Sequence, residues 1–323
     1  MQLGIVVPCY NEEAVLPETG RRLLEVLEAL QSAGTIADDS KIYFVDDGSR
    51  DQTWAIIAGM AHSDPRVVGM KLSRNRGHQT ALVAGLLTAQ GDALISIDAD
   101  LQDDLSLIGQ MVEAHAQGCD IVYGVRRERT GDTAFKRTTA QAYYRLLRGL
   151  GVEVVYNHAD YRLLSRRVVE CLRQFGEINL FLRGLVPLIG FNATTLYYDR
   201  ANRFAGESKY PLRKMLLLAL DGVTSFSAVP LRLIAMLGGA VCLLSIVLTG
   251  WVLWVRLFTD HAVPGWASSV IPMYFLGGVQ ILSIGVLGEY TAKMYMEVKH
   301  RPRYFIADIT APHNTVSGTD CHF

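Results

Sequence analysis

The sequence predicts an α/β domain on a largely parallel sheet, followed by an interfacial helix and two membrane-crossing helices. Three observations carry this expectation. Short apolar runs of strand character alternate with helically spaced ones through the first half of the chain. Acidic clusters recur where those runs end. Two long uncharged stretches lie in tandem near the C-terminus.

The expected strands are LGIVVP (3–8), KIYFVD (41–46), RVVGMKL (66–72), ALISID (93–98) and DIVYGV (120–125). A helix is expected over 13–31, with Leu16, Leu23, Leu24, Leu27 and Leu30 on one side. Alternation of this kind buries a parallel sheet on both faces. Ligands then bind beyond the carboxyl ends of the strands. No GxGxxG follows the first strand and no GxxxxGK[ST] occurs, so the usual dinucleotide site and the P-loop are disfavoured.

The strand ends are rich in carboxylates. The first leads into Pro8-Cys9-Tyr10-Asn11-Glu12-Glu13, the second into Asp46-Asp47-Gly48-Ser49 with Asp51 and Thr53, and the fourth into Asp98-Ala99-Asp100-Leu101-Gln102-Asp103-Asp104. Any one cluster alone also suits a helix N-cap. Three at one sheet edge favour a site for a cation, hydroxyls or base edges. The pair Asp98 and Asp100 can offer oxygens to a hard cation, Mg²⁺ or Mn²⁺, shared with a diphosphate. Gln102 adds a neutral oxygen or a bond to phosphate.

Between Arg232 and Arg256 runs LIAMLGGAVCLLSIVLTGWVLWV, without a charge. At about 1.5 Å per residue it can cross a hydrocarbon core of roughly 30 Å. A second uncharged stretch runs from Ala262 to Gly288, and its Pro264 and Pro272 put the helix start between Ala267 and Pro272. Trp251, Trp254 and Trp266 stand near the outer ends, where the interface favours amphipathic rings. Two buried core helices are the bland alternative, disfavoured by the length of both stretches. Lys209, Arg213, Lys214 and Arg232 precede the first span, and Lys293, Lys299, Arg301 and Arg303 follow the second. The positive-inside rule places both ends in the cytoplasm, with the loop bearing Arg256, Asp260 and His261 outside. Before the spans, Leu212, Met215, Leu216, Ala219, Val223 and Phe226 keep helical spacing beside Arg213 and Lys214, as in a helix lying on anionic headgroups. A plain soluble amphipathic helix is the alternative. From Arg303 a short polar tail is expected.

The expected organisation is therefore a domain over 1–210, an interfacial helix over 211–229, a two-helix transmembrane hairpin over 230–290 and a cytoplasmic tail over 291–323. The net charge of −1 points to no nucleic-acid partner. Cys9, Cys119, Cys171, Cys242 and Cys321 are scattered and odd in number, which favours free thiols in a reducing compartment. The start MQLGIVVPCYNEE lacks the basic region of a signal peptide, so the first domain is expected to stay in the cytoplasm. Gly238-Gly239 and Gly277-Gly278 allow close helix packing, compatible with a homo-oligomer.

Taken in order, VVPCYNEE, VDDGSRDQT, NRGHQTAL, IDADLQDD and RFAGESKYPL resemble the family 2 glycosyltransferases of the GT-A fold. With two C-terminal spans the chain is similar to the polyprenyl-phosphate branch, which holds bactoprenol glucosyltransferases and dolichol-phosphate mannose synthases. The likeness runs over roughly residues 3 to 300. It implies a Rossmann-like nucleotide-sugar domain at the inner, cytoplasmic membrane, with a UDP-sugar donor, glucose by default, and a polyprenyl (undecaprenyl) phosphate acceptor. It implies that Pro8, Tyr10, Glu12, Asp46 and Asp47 hold the nucleotide, and that Asp98, Asp100 and Gln102 hold metal and diphosphate. It implies an acceptor-phosphate set of Arg126, Lys136, Arg137, Arg203, Ser208 and Lys209, each of which is also an ordinary surface residue type. The implied catalytic set is Asp100, Asp160 and Arg126. Asp160 matches a position for a base or an orienting group. His78 and His158 are left outside catalysis, because a lone histidine is more often structural.

A phosphate monoester is already largely dianionic at neutral pH, so no strict base is required. A single in-line displacement with inversion is expected. The QxxRW motif of processive synthases is absent, and one sugar per cycle follows. The rival expectations are transfer to another membrane lipid such as diacylglycerol, which would need a general base, and a membrane protein that binds nucleotide-sugar without catalysis.

Overall fold

The computed structural model describes residues 1–127, 158–177, 182–199, 229–258 and 266–310. They fall into two units. The first holds eight strands and the helices around them. The second holds two long helices.

In the first unit, β1 (Leu3–Cys9), β2 (Lys41–Asp46), β3 (Val67–Leu72), β4 (Ala93–Ser96) and β5 (Ile121–Arg126) match the five expected strands to within two residues at each end. Three more were not foreseen: β6 (His158–Ser165), β7 (Ala193–Tyr198) and β8 (Ile306–Ile309). The order across the sheet is β7-β5-β6-β4-β1-β2-β3-β8. The run β4-β1-β2-β3 is parallel, as expected. The sheet as a whole is mixed, because β6 lies antiparallel between β4 and β5, and β8 lies antiparallel on β3. β6 shows no strand pattern in the sequence because HADYRLLS carries Asp160 and Arg162 inside the sheet, where the two side chains pair with each other.

Helix α1 (Leu16–Ser32) buries Leu16, Leu23 and Leu27, while Leu24 and Leu30 are partly buried against the same core. It is joined there by Ile57 of α2 (Thr53–Ser63) and by Ile108 and Met111 of α4 (Leu107–Ala116). The side chains of Leu3, Ile5 and Val7 face this layer. Val6 faces the other way, against α3 (His78–Thr88). A Cβ on Gly85 would lie 2.3 Å from Val6 Cγ1, so glycine lets α3 lie close to β1. Two short helices, α5 (Arg166–Arg173) and α6 (Leu182–Leu188), follow β6 in sequence. Burying one Leu or Ile side chain contributes about 1.5–3 kcal/mol, and this two-faced core fixes the strands that carry the polar loops.

Residues expected to form a polar tail instead re-enter the sheet. Met70 pairs with Ile309, and Thr310 Oγ1 accepts from the Gly69 N–H at 2.7 Å. Four residues are too few to show a strand period, and β8 gains its order from the β3 edge it covers.

The second unit holds α7 (Val229–Phe258) and α8 (Trp266–Val298). α8 is already helical at Trp266, where the described residues resume, and contains Pro272. Proline removes one backbone donor and costs a helix one hydrogen bond, which 33 residues of helix absorb. α8 also continues past residue 290, so 291–298 is helix rather than tail. Among the described residues, no helix is long and apolar enough to cross a membrane. Several side chains inside both helices lie outside that description. The interfacial helix expected over 211–229 lies outside the described residues but for its last position.

Candidate active site

The carboxyl ends of β1, β2, β3 and β4 open at one edge of the sheet. β6 runs the other way, with Ser96 paired to Arg162, so its first residues reach that same edge beyond β4. Asp160 thus comes beside the loop that carries Asp98.

The loops after β1 and β2 are laced together. Asn11 N donates to Ser49 Oγ at 2.9 Å, Glu12 N to Thr53 Oγ1 at 2.9 Å, and Arg50 N to Asn11 Oδ1 at 2.9 Å. Asn11 sits at φ 54°, a left-handed conformation that asparagine tolerates. Asp46 is fully buried. Its Oδ1 accepts from Ser49 N at 3.0 Å, while its Oδ2 is buried with no partner among the described residues. A buried, unpaired carboxylate oxygen is costly, and a donor group of a ligand would satisfy it. Asp47 braces the next loop, its two oxygens accepting from Arg76 N at 2.7 Å and Gly77 N at 2.8 Å. Burial raises the Asp47 pKa, against those two hydrogen bonds. Pro8 is buried in β1, Tyr10 is exposed at the rim, and Glu12 lies half-buried between them and α1.

Beyond β4, Asp98 Oδ1 lies 2.9 Å from His78 Nε2, and His78 Nδ1 lies 3.8 Å from Asp160 Oδ2. Asp160 also receives Gln79 Nε2 at 3.0 Å and Arg162 Nη2 at 2.5 Å, with Arg183 at 3.4 Å. Burial acts to raise the Asp160 pKa, but Arg162, Arg183 and His78 overcome it and hold the group well below the usual carboxylate range. Asp100 is half-buried, its Oδ1 accepting from Gln102 N at 3.2 Å, and Gln102 itself is buried. The backbone turns sharply at Leu101, with φ 54°, and Thr19 Oγ1 anchors it by donating to Ala99 O at 2.7 Å.

Arg126, at the end of β5, donates to Asp103 Oδ1 at 3.0 Å and to the Tyr198 hydroxyl at 3.1 Å. The Tyr198 hydroxyl donates to the same Asp103 oxygen. Burial raises the Asp103 pKa, while Arg126 and Tyr198 act to lower it. Arg126 is thus held by Asp103, one of the carboxylates of the fourth strand end, and by Tyr198, which the sequence reading did not single out. Lys136, Arg137, Arg203, Ser208 and Lys209 lie outside the described residues.

The geometry therefore brings together Asp46, Asp47, Tyr10 and Glu12 in one group and Asp98 and Asp160 in another, the latter bridged by His78. Gln79, Arg162 and Arg183 were not singled out from the sequence, and His78 was set aside as structural. The sequence signal for His78, Gln79 and Arg162 was the polar end of NRGHQ and the charges in DYR, and Arg183 is an isolated charge in the apolar run LRGLVPL. Asp98, Asp100 and Gln102 present oxygen donors, the chemistry a hard cation takes. Among the described residues no group of three His, Cys, Asp or Glu is set to hold a metal. A pair of carboxylates suits an ion that keeps waters and shares substrate phosphates.

Comparison with known proteins follows the same lines. The family described as "Glycosyl transferase family 2" matches residues 4–173. The "Uncharacterized glycosyltransferase YkoT" of Bacillus subtilis (strain 168) is 51% identical over 306 residues, covering 94% of this chain and 90% of that protein. The "Bactoprenol glucosyl transferase" of Shigella phage SfV is 40% identical over 307 residues, covering 95% of this chain and 98% of that protein. A crystal structure of mannosyl-3-phosphoglycerate synthase from Rubrobacter xylanophilus superposes with a TM-score of 0.48 at 19% identity, over 84% of this chain and 80% of that one. That structural likeness is too slight to carry an argument.

Proposed function

This chain belongs to glycosyl transferase family 2, and on that premise we propose that it moves one sugar, glucose by default, from a UDP-sugar to a polyprenyl phosphate. The observation that carries this reading is the 40% identity, over 95% of this chain, to a protein named bactoprenol glucosyl transferase. That match is long enough to take in the two C-terminal helices as well as the α/β unit.

The residues have roles that fit the reaction. The unpaired Asp46 oxygen and the laced β1 and β2 loops receive the nucleoside, with Tyr10 and Glu12 at the rim and Pro8 and Asp47 shaping the floor. Asp98 and Asp100, with Gln102, would hold Mg²⁺ or Mn²⁺, which when bound neutralises charge on the departing diphosphate. An acceptor phosphate oxygen attacks the anomeric carbon, and the carbon–oxygen bond to the diphosphate breaks with its electron pair leaving on UDP. The anomeric centre inverts. No proton has to be removed from a phosphate dianion, and Asp160 is held ionised by its arginines. Asp160 therefore orients rather than abstracts. Arg126, with Lys136, Arg137, Arg203, Ser208 and Lys209, would supply the positive charge and donors for the acceptor phosphate.

The proposal includes a membrane. α7 and α8 have 30 and 33 residues, and about 20 helical residues span a hydrocarbon core. Large apolar residues stand exposed along both, among them Leu243, Val247, Trp254, Met273, Ile281 and Ile284. A lipid environment accounts for that exposure. The return of the chain into the sheet as β8 supports an even number of crossings, since both ends of the hairpin join one unit. The proposed location is the inner, cytoplasmic membrane, with the sugar-transfer unit and the C-terminus on the cytoplasmic side. There the product supplies cell-envelope glycan modification. The glycines of α7 and α8 keep a homo-oligomer within the proposal.

The test is UDP release by detergent-purified protein given UDP-glucose, Mn²⁺ or Mg²⁺, and undecaprenyl phosphate, with chelator, no-lipid and diacylglycerol arms. Release that needs the lipid phosphate and stops with chelator is expected. Release driven by diacylglycerol, or UDP binding with no turnover on any donor, would overturn the reading.

A further inference from the structure

We infer that Arg183 is a phosphate ligand of this reaction, and that Asp160 positions it. The inference rests on the proposed sugar transfer to a phosphate.

Asp160 has one negative charge and two guanidinium partners. Arg162 is the tight one: its Nη2 donates to Asp160 Oδ1 at 2.5 Å, and its side chain is 1% exposed. Arg183 is the loose one: its Nη2 stands 3.4 Å and its Nε 3.5 Å from the carboxylate, with 38% of the side chain exposed. One arginine suffices to neutralise a buried carboxylate. The second guanidinium is therefore not needed to pair Asp160.

The backbone that carries Arg183 is built around that carboxylate. Arg162 Nη1 donates to Leu182 O at 3.3 Å. Leu182 N donates to Gln79 Oε1 at 3.4 Å, and the amide of the same Gln79 donates to Asp160 Oδ2 at 3.0 Å. Both backbone polar atoms of Leu182, the residue before Arg183, are thus gripped by side chains that also grip Asp160. His78 links this cluster to Asp98, touching one carboxylate with each ring nitrogen. The half-exposed guanidinium is therefore fixed next to the carboxylate edge where the diphosphate and acceptor meet.

A guanidinium presents a planar fork that matches two phosphate oxygens. A phosphate can draw Arg183 from its long contact at little cost, because Arg162 keeps Asp160 paired. Either the lipid phosphate or the donor diphosphate has the chemistry to do so.

The test uses the full chain in detergent and two binding probes, UDP with Mn²⁺ and the soluble phosphate monoester geranyl phosphate. In R183Q, affinity for one probe is expected to fall about ten- to a hundredfold, the loss of a charge-assisted contact, with the other held within about twofold. The melting temperature should stay near that of wild type. Loss confined to geranyl phosphate assigns Arg183 to the acceptor, and loss confined to UDP assigns it to the diphosphate. Wild-type affinity for both probes overturns the inference. So does equal loss of both together with early melting, which is what a purely structural arginine gives. If R183Q does not fold, R183K decides: it keeps the charge that faces Asp160 and loses the fork. Weakened affinity for one probe supports the assignment, and wild-type affinity for both overturns it. Undecaprenyl-phosphate turnover by the wild type is measured separately. Its absence removes the proposed reaction, while the binding arms still decide on Arg183.

Discussion

Asp160 separates two ways a carboxylate can serve an enzyme. Buried alone it would rise in pKa and become a plausible base; flanked by Arg162 and Arg183 it stays ionised well below the usual carboxylate range. Because its folded pKa is depressed, its stabilising contribution is present above the unfolded value of about 3.9 and is lost as pH falls through the lower folded value. Between pH 5 and 8 Asp160 therefore does not titrate. The pH–rate profile should show no acid limb there that belongs to it; a limb that disappears from the residual activity of D160N would refute this. D160N should also melt early, since it leaves Arg162 buried without its partner, at a cost of about 3–5 kcal/mol. The sequence made the acidic strand ends legible, because parallel strands deliver their loops to one edge. It did not show that Asp160 meets Gln79, 81 positions away, or that Asp103 meets Tyr198, 95 positions away. Those pairings follow from β6 and β7, whose own patterns are weak.

Elements differ in how plainly they announce themselves. β1 and β2 are buried on both faces and mainly apolar, so their bounds could be read off the sequence to within one residue. β6 is just as central, but its polar residues disguise it. β8 is an edge strand of four residues that no local pattern marks. Glycine makes a sharper test of element packing. A Cβ at Gly85 would meet Val6 Cγ1 at 2.3 Å and Val45 Cγ2 at 2.8 Å, both on stiff branched side chains of the sheet. Gly59 of α2 is also helical, yet nothing lies within 4 Å of its would-be Cβ. G85A should therefore lose about 1–3 kcal/mol to overpacking. G59A should gain about 0.5–1 kcal/mol from helix propensity and a less flexible unfolded chain. Urea denaturation of the two variants reads the difference, and equal midpoints would contradict the close packing of α3 on β1 and β2.

For the whole molecule, connectivity constrains topology more firmly than composition does. Charge bias predicts both ends of the hairpin on one side, but such a bias counts residues and can be outvoted. The pairing of β8 with β3 is a different kind of constraint, because residues 306–309 and 67–72 share one sheet. A chain that leaves that sheet, enters a bilayer and returns to it must cross an even number of times. On the proposal that α7 and α8, the long helices among the described residues, are the crossings, that number would be two. A single cysteine at position 261, in an otherwise cysteine-free chain, should then react with an impermeant thiol reagent in intact cells. A single cysteine at Lys299 should react only after the membrane is opened. If both label from outside, or neither does before permeabilisation, the two-crossing arrangement is wrong. The sheet would then have to be completed by a chain that never leaves its side of the bilayer, with the exposed apolar faces of α7 and α8 covered by protein instead of lipid.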